Sequence, residues 1–474
     1  MTKTGSPLRV YTLDDLPAEV VAVTFAKTSR SPDSFEEIAR ELSESESSRF
    51  HEKWVVGYGH SSVAEHAVLS IAVENISILG AKVVEENRLS SFTEKSTRYQ
   101  VMSPDNFYTP PVFTEGELGE LYHEAVSSLY RAYDRLRPRA LAWCEDAYGA
   151  PEWRQAGLNS RGKACDAVRG LLPAAAKTNL GWTVNARELR HAVIKMASSP
   201  LAEMRELAGV LTSTGLAKVP TLLKYVERSP YLDGWEERIG ERSGSGGLVA
   251  SEGPSVEPYV RLVEHDPDGE TRVVASMLFR AGGLSYDEAR ERAGRMSAGE
   301  RAELLAAAIE GMTEHELPVR EFEETAYTFE VVCDFGAYRD IQRHRMATQT
   351  QQLLGCDLGR TVPDDAREAG VADEMEHELD LARERWERLA EIDPVHAQYA
   401  VPLAYHKRIL MTLNARSAFH LVRLRSRVQG HESYRRIARD MKREIERVHP
   451  GIGSLIPVDD TKSPAERIAA AQGV

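Results

Sequence analysis

The sequence is poor in cysteine, in aromatic residues and in unbroken apolar stretches, and each shortage removes a class of protein. Its four cysteines, Cys144, Cys165, Cys333 and Cys356, stand far apart and form no C-x-x-C pair. A disulfide framework and a zinc ribbon are therefore not expected, and a reducing compartment fits. No run of about 18 apolar residues occurs, so no transmembrane helix is expected. Met1 to Leu16 has neither a basic start nor an apolar core, so no secretory leader is expected and the cytoplasm is the expected location. The net charge of −14 disfavours unspecific binding to nucleic acid or anionic membranes. It leaves small anions open, because a local arginine cluster holds phosphate inside a globally acidic protein.

What is present is enough for sizeable cores. With 474 residues, 42% of them hydrophobic, the chain is long enough for two or three domains. Charged stretches rich in Glu, Arg and Ala alternate with short apolar runs, and aromatics make up 7%. The expected class is therefore a helix-rich α+β protein. Ser243-Gly-Ser-Gly-Gly247 and Ser251-Glu-Gly-Pro254 mark a linker at 236–258, which divides the chain into 1–235 and 259–474.

The same order of features recurs on both sides of that linker. Each half opens with an apolar run, Val20 to Ala26 or Val273 to Phe279. An alternating strand follows, with Leu69, Ile71 and Val73 in the first half and Tyr327, Phe329, Val331, Cys333 and Phe335 in the second. Next comes an Arg-bearing segment, Glu86-Asn-Arg88 or Arg343-His-Arg345, and then a long amphipathic helix expected at 116–148 or 364–391. The most specific repeat is Thr183-Val-Asn-Ala-Arg187 against Thr412-Leu-Asn-Ala-Arg416, 229 residues apart (185 to 414), each opening a helix that carries His191 or His420. The chain thus reads as two tandem copies of one unit, expected to pair as an intramolecular pseudo-dimer.

Two segments carry chemistry. Arg343-His344-Arg345 leads into a hydroxyl- and amide-rich turn through Thr348 and Thr350; guanidinium groups give bidentate contacts to phosphate and stack on planar heterocycles. In the first half Glu86 and Asn87 replace the leading cations, but Glu94, Ser96 and Arg98 alternate and point to one side where the backbone is extended. A solvated basic loop and a ligand-free Ser/Thr turn are the alternatives. His60, Glu65 and His66 lack the spacing of a zincin and have no identifiable third ligand, so no metal is expected.

Together these residues resemble the flavin-dependent thymidylate synthases, whose signature reads R-H-R-x-x-S-x-N-E-x-S-x-R-Y. The second half supplies Arg343, His344 and Arg345 and then departs from it; the first half departs at the opening but keeps Arg88, Ser91, Glu94, Ser96, Arg98 and Tyr99, with Thr93 at the Asn position. Gly59-His60-Ser61-Ser62 with Glu65-His66 is similar to the family's G-H-x-S-x-x-E-H segment, and Arg169-Gly-Leu-Leu-Pro173 to its A-R-x-x-L-P segment, where the second half has Gln398. Eleven residues after Asn414 stands Arg425, at the position of the family's pyrimidine-binding Arg, with Met196 in the first half.

The resemblance implies FAD as cofactor, NADPH and methylenetetrahydrofolate as co-substrates, and conversion of dUMP to dTMP. It places Glu94, Ser96, Arg98, Arg169, Gln342 and Arg343 on the nucleotide, and Arg425 on the pyrimidine as the catalytic group. It places FAD against Arg343, His344, Arg345, Asn414, Arg416 and His420, with Asn185, Arg187, His191, Glu94, His60 and Ser62 as further flavin-side residues. The losses are complementary, since each half keeps the set that the other lacks, so one composite nucleotide site per chain is expected. The family's tetramer of single units then corresponds to a homodimer of this chain. A flavoenzyme acting on a related pyrimidine nucleotide and a noncatalytic nucleotide- or flavin-binding protein are the other readings.

Overall fold

The protein is described here by a computed structural model covering residues 9–467 except 14, 30, 43, 54–60, 99, 103, 105, 225, 245–255 and 465. His60, Tyr99 and the glycine-rich centre of the expected linker lie outside the described residues. The start of that linker is helical, within the helix Trp235–Ser243.

Among the described residues, seven strands form two antiparallel sheets. β1 (Val68–Ser77), β2 (Ser90–Glu94) and β3 (Lys177–Asn185) make one, in the order β1-β3-β2; β4 (Tyr259–His265), β5 (Ala326–Asp334), β6 (Thr348–Gln351) and β7 (His406–Asn414) make the other, in the order β4-β5-β7-β6. β5 lies against β7 from Ala326↔Asn414 to Asp334↔His406. The alternation read from β5 puts Tyr327, Phe329, Val331 and Cys333 in the core, but Thr328, Val332 and Asp334 on the other face are buried too. The expected strand residue Phe335 already belongs to the helix Phe335–Ile341.

Among the described residues, a short polar acceptor ends a strand and starts a helix four times. Ser77 accepts from the Gly80 N–H (2.8 Å) and Asp334 from Ala337 (2.7 Å). Asn185 accepts from Glu188 (2.9 Å) and Asn414 from Ser417 (2.8 Å). Such N-caps satisfy amides that a helix start leaves unpaired, and here they fix where each strand hands over to its helix. The apolar runs near the start of each half fold as the helices Ala18–Thr28 and Gly269–Gly282. The first long amphipathic helix is Gly116–Ala147. Its counterpart is broken: Asp364–Glu368 ends before Gly370, whose φ of 64° is left-handed, and Ala372–Ala390 begins after it.

The chain forms two compact units. One comprises Met1–Glu74, Leu89–Glu94 and Asn179–Trp235; the other comprises Asn75–Arg88, Lys95–Thr178 and Glu236–Val474. The second unit thus joins a large part of the first half of the sequence to the whole of the second. At its centre the helices Gly116–Ala147 and Ala372–Ala390 pack together, burying Tyr130, Tyr133, Leu136, Met375, Leu379 and Trp386. Each such side chain contributes roughly 1.5–3 kcal/mol by leaving water.

Beside them two stretches exchange backbone hydrogen bonds in mirrored fashion. Ala174 N–H donates to Val401 O (2.9 Å) and Leu403 N–H to Leu172 O (2.9 Å); Ala175 donates to Tyr399 O (2.8 Å) and Ala404 to Gly170 O (2.9 Å). Each bond becomes its mate when both residues are displaced by 229 positions (174 to 403, 172 to 401), and Pro173 faces Pro402 between them. The helix starts repeat the relation: Ile78 and Leu79 donate to Ala176 O and Ala174 O, as Phe335 and Gly336 donate to Tyr405 O and Leu403 O.

Candidate functional site

All of the site described first lies within the second unit. The chain leaves β2 at Glu94 and turns at once: Ser96 Oγ accepts from the Arg98 N–H (3.2 Å), and Gln100 N–H donates to Ser96 O (3.1 Å). The extended spacing expected to align Glu94, Ser96 and Arg98 is therefore not found, because the serine hydroxyl and carbonyl close a local turn. That turn sends Arg98 to Asp166. Its Nε donates to both carboxylate oxygens (2.8 and 3.0 Å) and its Nη2 to Oδ2 (2.7 Å), while Nη2 also donates to Gln429 O (2.7 Å) and Nη1 to Tyr434 Oη (3.4 Å).

Asp166 lies on the helix Ser160–Val168, three residues before Arg169, and its Oδ1 is 3.7 Å from Arg169 Nε. Arg169 is only 3% exposed, and its Nη2 is buried without a hydrogen-bond partner. Burial alone would raise the Asp166 carboxyl, but the charges of Arg98 and Arg169 outweigh it and hold the group well below the usual carboxylate range.

The second half adds its own pair of arginines. Arg425 ends the helix Ala415–Arg425. Its Nε donates to His344 Nε2 (3.0 Å), its Nη1 is 3.5 Å from Asp340 Oδ1, and its guanidinium lies 5.6 Å from the centre of the Tyr434 ring. Arg343 Nη1 is 4.0 Å from the same Asp340 oxygen. Burial would raise Asp340 as well; Arg169, Arg343, Arg425 and Arg98 together keep it lowered and ionised. Accepting from Arg425 requires a neutral His344 with a free lone pair on Nε2. Burial, with the charges of Arg425 and His420, pushes His344 well below its ordinary value, so the neutral form is the one present.

Gln342 is 3% exposed; its Nε2 donates to the Lys82 carbonyl (2.8 Å), and its Oε1 is buried without a hydrogen-bond partner. Asp340, two residues earlier, faces the arginines.

Arg343, His344, Arg345, Asn414, Arg416 and His420 line one cavity of ≈ 300 Å³, joined by Arg88, Glu323, Leu317 and Met346. Arg416 is held by Pro318 O (2.7 Å) and Glu323 (3.2 Å), and Arg88 by Thr348 Oγ1 (3.0 Å). His344 and His420 meet edge to face at 5.4 Å, and burial followed by Arg423 and Arg425 lowers His420 too. Four guanidiniums against one carboxylate, with neutral imidazoles and apolar Leu317 and Met346, give a wall suited to a phosphate-bearing planar cofactor.

The remaining expected residues lie in the first unit. Glu94 ends β2 opposite Leu180 and is buried. Asn185 caps its helix, Arg187 pairs with Glu65, and His191 is exposed. Ser62 lines a separate cavity of ≈ 670 Å³ with Phe25, Phe50 and His66. Where the second half has Gln398 in place of Arg169, the amide is spent on Leu354 N–H and Val395 O, both at 2.9 Å.

Asp166, Asp340, Gln429 and Tyr434 were not legible as site residues. A signal existed for two of them, since Asp166-x-x-Arg169 and Asp340-x-x-Arg343 share the i,i+3 spacing that pairs opposite charges on one helical face. Among the described residues no three His, Cys, Asp or Glu side chains are grouped to hold a metal, and no helix is long and apolar enough to cross a membrane.

Residues 12–221 and 261–451 each match one family model, described as thymidylate synthase complementing protein. A UPF0159 protein of Chlamydia muridarum is 29% identical over 97% of this chain and 93% of its own length. Another, from Chlamydia pneumoniae, is 31% identical over 85% of this chain and 78% of its own. A flavin-dependent thymidylate synthase of Clostridium tetani is 28% identical over 44% of this chain and 82% of its own. The shorter enzyme therefore corresponds to about one repeat, whereas the Chlamydia muridarum protein is similar over nearly its whole length.

Proposed function

Because this chain belongs to the thymidylate synthase complementing protein family, we propose that it is a flavin-dependent enzyme that methylates dUMP to dTMP in one composite nucleotide site per chain, with methylenetetrahydrofolate and NADPH as co-substrates. The observation that carries this reading is the gathering of Arg98 and Arg169 from the first repeat with Arg343 and Arg425 from the second, around Asp166 and Asp340. Four guanidiniums less two carboxylates leave two positive charges, which matches a phosphate monoester of about −1.5 to −2 at neutral pH. The mirrored bonds across Pro173 and Pro402 support reading the repeats as an intramolecular pseudo-dimer. Gln398, whose amide is already satisfied, supports a single working site per chain.

The residues have distinct tasks. Arg169 offers a buried unpartnered donor to the phosphate. Arg425, held by His344 and Asp340, is oriented before substrate arrives and would stabilise the negative charge that develops on the pyrimidine ring as C5 becomes nucleophilic. Arg343, Arg345 and Arg416, with Asn414, His344 and His420, would hold FAD in the ≈ 300 Å³ cavity. When bound, the flavin supplies the reducing equivalents. A cytoplasmic homodimer completes the proposal, by analogy with the family's tetramer of single repeats.

Two measurements test it together. Tritium release from dUMP labelled at C5 should depend on methylenetetrahydrofolate and disappear in Arg425→Met, and equilibrium titration should saturate at one dUMP per chain. Two equivalents bound per chain, or tritium release unaffected by loss of Arg425, would overturn it.

A further inference from the structure

We infer that Asp459 is a positioning residue for Arg425: from a strap laid across the end of the helix Ala415–Arg425, it fixes the turn that follows Arg425 and so sets where that guanidinium stands. This deepens the reading above and rests on its placing of Arg425 on the pyrimidine. Arg425 is the last residue of its helix, where the final carbonyls lose their intrahelical partners and the end frays unless something holds it. The turn 426–430 leads from there toward the helix Glu432–Val448. Within it, Ser426 N–H donates to Val422 O (3.0 Å) and Gly430 N–H to Arg427 O (2.8 Å). The remaining polar groups of the turn are satisfied from outside. Val428 N–H donates to Asp459 Oδ2 (2.9 Å), and Asp459 N–H donates back to Ser426 Oγ (2.9 Å). Asp459 Oδ1 accepts from Thr461 N–H (2.9 Å), which closes a local turn in the strap.

The strap is anchored by buried charge. Arg435, fully buried, donates from Nε to Ser426 O (3.0 Å), from Nη2 to Thr461 O and from Nη1 to Glu466 Oε2 (3.2 Å). Arg439 donates from Nε to Asp459 O (3.3 Å), from Nη2 to Thr461 O (3.3 Å) and from Nη1 to Glu466 Oε1 (3.1 Å). Arg467 lies over the Trp153 ring at 4.8 Å, so the strap also reaches the first repeat. Burial would raise the Asp459 carboxyl, but the Thr461 and Val428 amides, with Arg435, outweigh it and keep the group ionised, which strengthens the bonds it accepts. On its other side the turn is met by Lys163 Nζ at Gly430 O (3.3 Å) and by Ala156 O, which accepts from Gln429 Nε2. His344 and Asp340 thus orient the Arg425 side chain, whereas the strap fixes the backbone that carries it. A shift of about 1 Å in such a group costs up to about a hundredfold in rate.

The test uses the full chain. In Asp459→Ala, amide hydrogen exchange should quicken at Val428, which loses its acceptor, and at Ser426, whose N–H bonds only within the helix end. Tritium release from C5-labelled dUMP at saturation should fall about tenfold or more. Affinity for deoxyribose 5-phosphate, which offers the phosphate and sugar without the base, should stay within about twofold, since Arg425 is read as meeting only the base. Asp460→Ala removes the same charge from an exposed neighbour and should leave all three measurements unchanged. Ser426→Ala, which removes the acceptor of the Asp459 N–H, stands in if Asp459→Ala does not fold, with the same pattern expected. Unchanged exchange at Val428 and Ser426 overturns the strap. Faster exchange with undiminished tritium release overturns the positioning of Arg425. Equal loss of tritium release and of deoxyribose 5-phosphate binding means general damage to the site and overturns it as well. Absence of tritium release from the unaltered protein overturns the proposed reaction, and faster exchange at Ser426 in Asp459→Ala then still supports the strap.

Discussion

Asp166 and Arg98 form a two-edged ion pair, with Arg98 Nε donating to both carboxylate oxygens and Nη2 to one of them at 2.7 Å. The carboxylate is 3% exposed. Asp166→Asn is expected to destabilise the second unit by about 3–5 kcal/mol, the usual effect of stranding one partner of a buried pair. The sign of the pH effect follows from a folded-state pKa lowered below the unfolded value of about 3.9. The contribution is complete above that value and is lost as pH falls below it toward the folded-state pKa. Urea midpoints of the two proteins should thus differ widely at pH 7 and draw together when the solution is acidified below that value.

The paired asparagines separate cap from site. Asn185→Ala and Asn414→Ala should each lose about 1 kcal/mol of stability, because each removes one N-cap acceptor. Only Asn414 lines the ≈ 300 Å³ cavity. Bound flavin, read from the visible spectrum of the purified protein, should fall in the Asn414 variant and persist in the Asn185 variant; equal loss would remove Asn414 from the cofactor site.

His344 gives a pH prediction of opposite origin. Burial and the Arg425 charge lower it well below its ordinary 6.5, so the unfolded chain takes up this proton first as pH falls. Stability from this residue is lost from about 6.5 downward and is constant above. The affinity for dUMP should be flat from about pH 6.5 to 8. A step near 6.5 that vanishes in His344→Gln would show that the imidazole is not held neutral.

Gly430 tolerates no side chain. An added Cβ would lie 2.5 Å from Tyr434 Cε2 and 2.9 Å from both Tyr434 Oη and Arg427 O, and the backbone oxygen cannot rotate aside. Gly430→Ala should therefore cost about 1–3 kcal/mol through overpacking, and it should slow tritium release by displacing the ring under Arg425. A variant of unchanged stability and rate would mean that this contact yields easily.

The repeat was legible because its signals are local: the Asn-Ala-Arg caps, the alternating strands and the arginine motifs each fit within a few residues. The partners of the arginines were less so. Arg98 reaches Asp166 across 68 residues and Gln429 across 331, and no local pattern encodes a meeting of that kind. Gln342 shows a related limit, since adjacency to Arg343 says nothing of the turn that sends its amide nitrogen to Lys82. The broken second helix shows the limit of periodicity, which runs through 364–391 although Gly370 adopts a left-handed φ that ends the first segment.

The reciprocal bonds across Pro173 and Pro402 also bear on why the two copies are carried on one polypeptide. Under the composite site proposed above, copies that had specialised in opposite directions would be useful only in mixed company: two first copies would bring no Arg425, and two second copies no Arg169. Separate subunits with near-identical pairing surfaces would form such sterile couples freely. Tethering makes the productive encounter intramolecular and fixes the ratio of the specialists at one to one, so the peptide bond that joins them acts as the arbiter of partner choice.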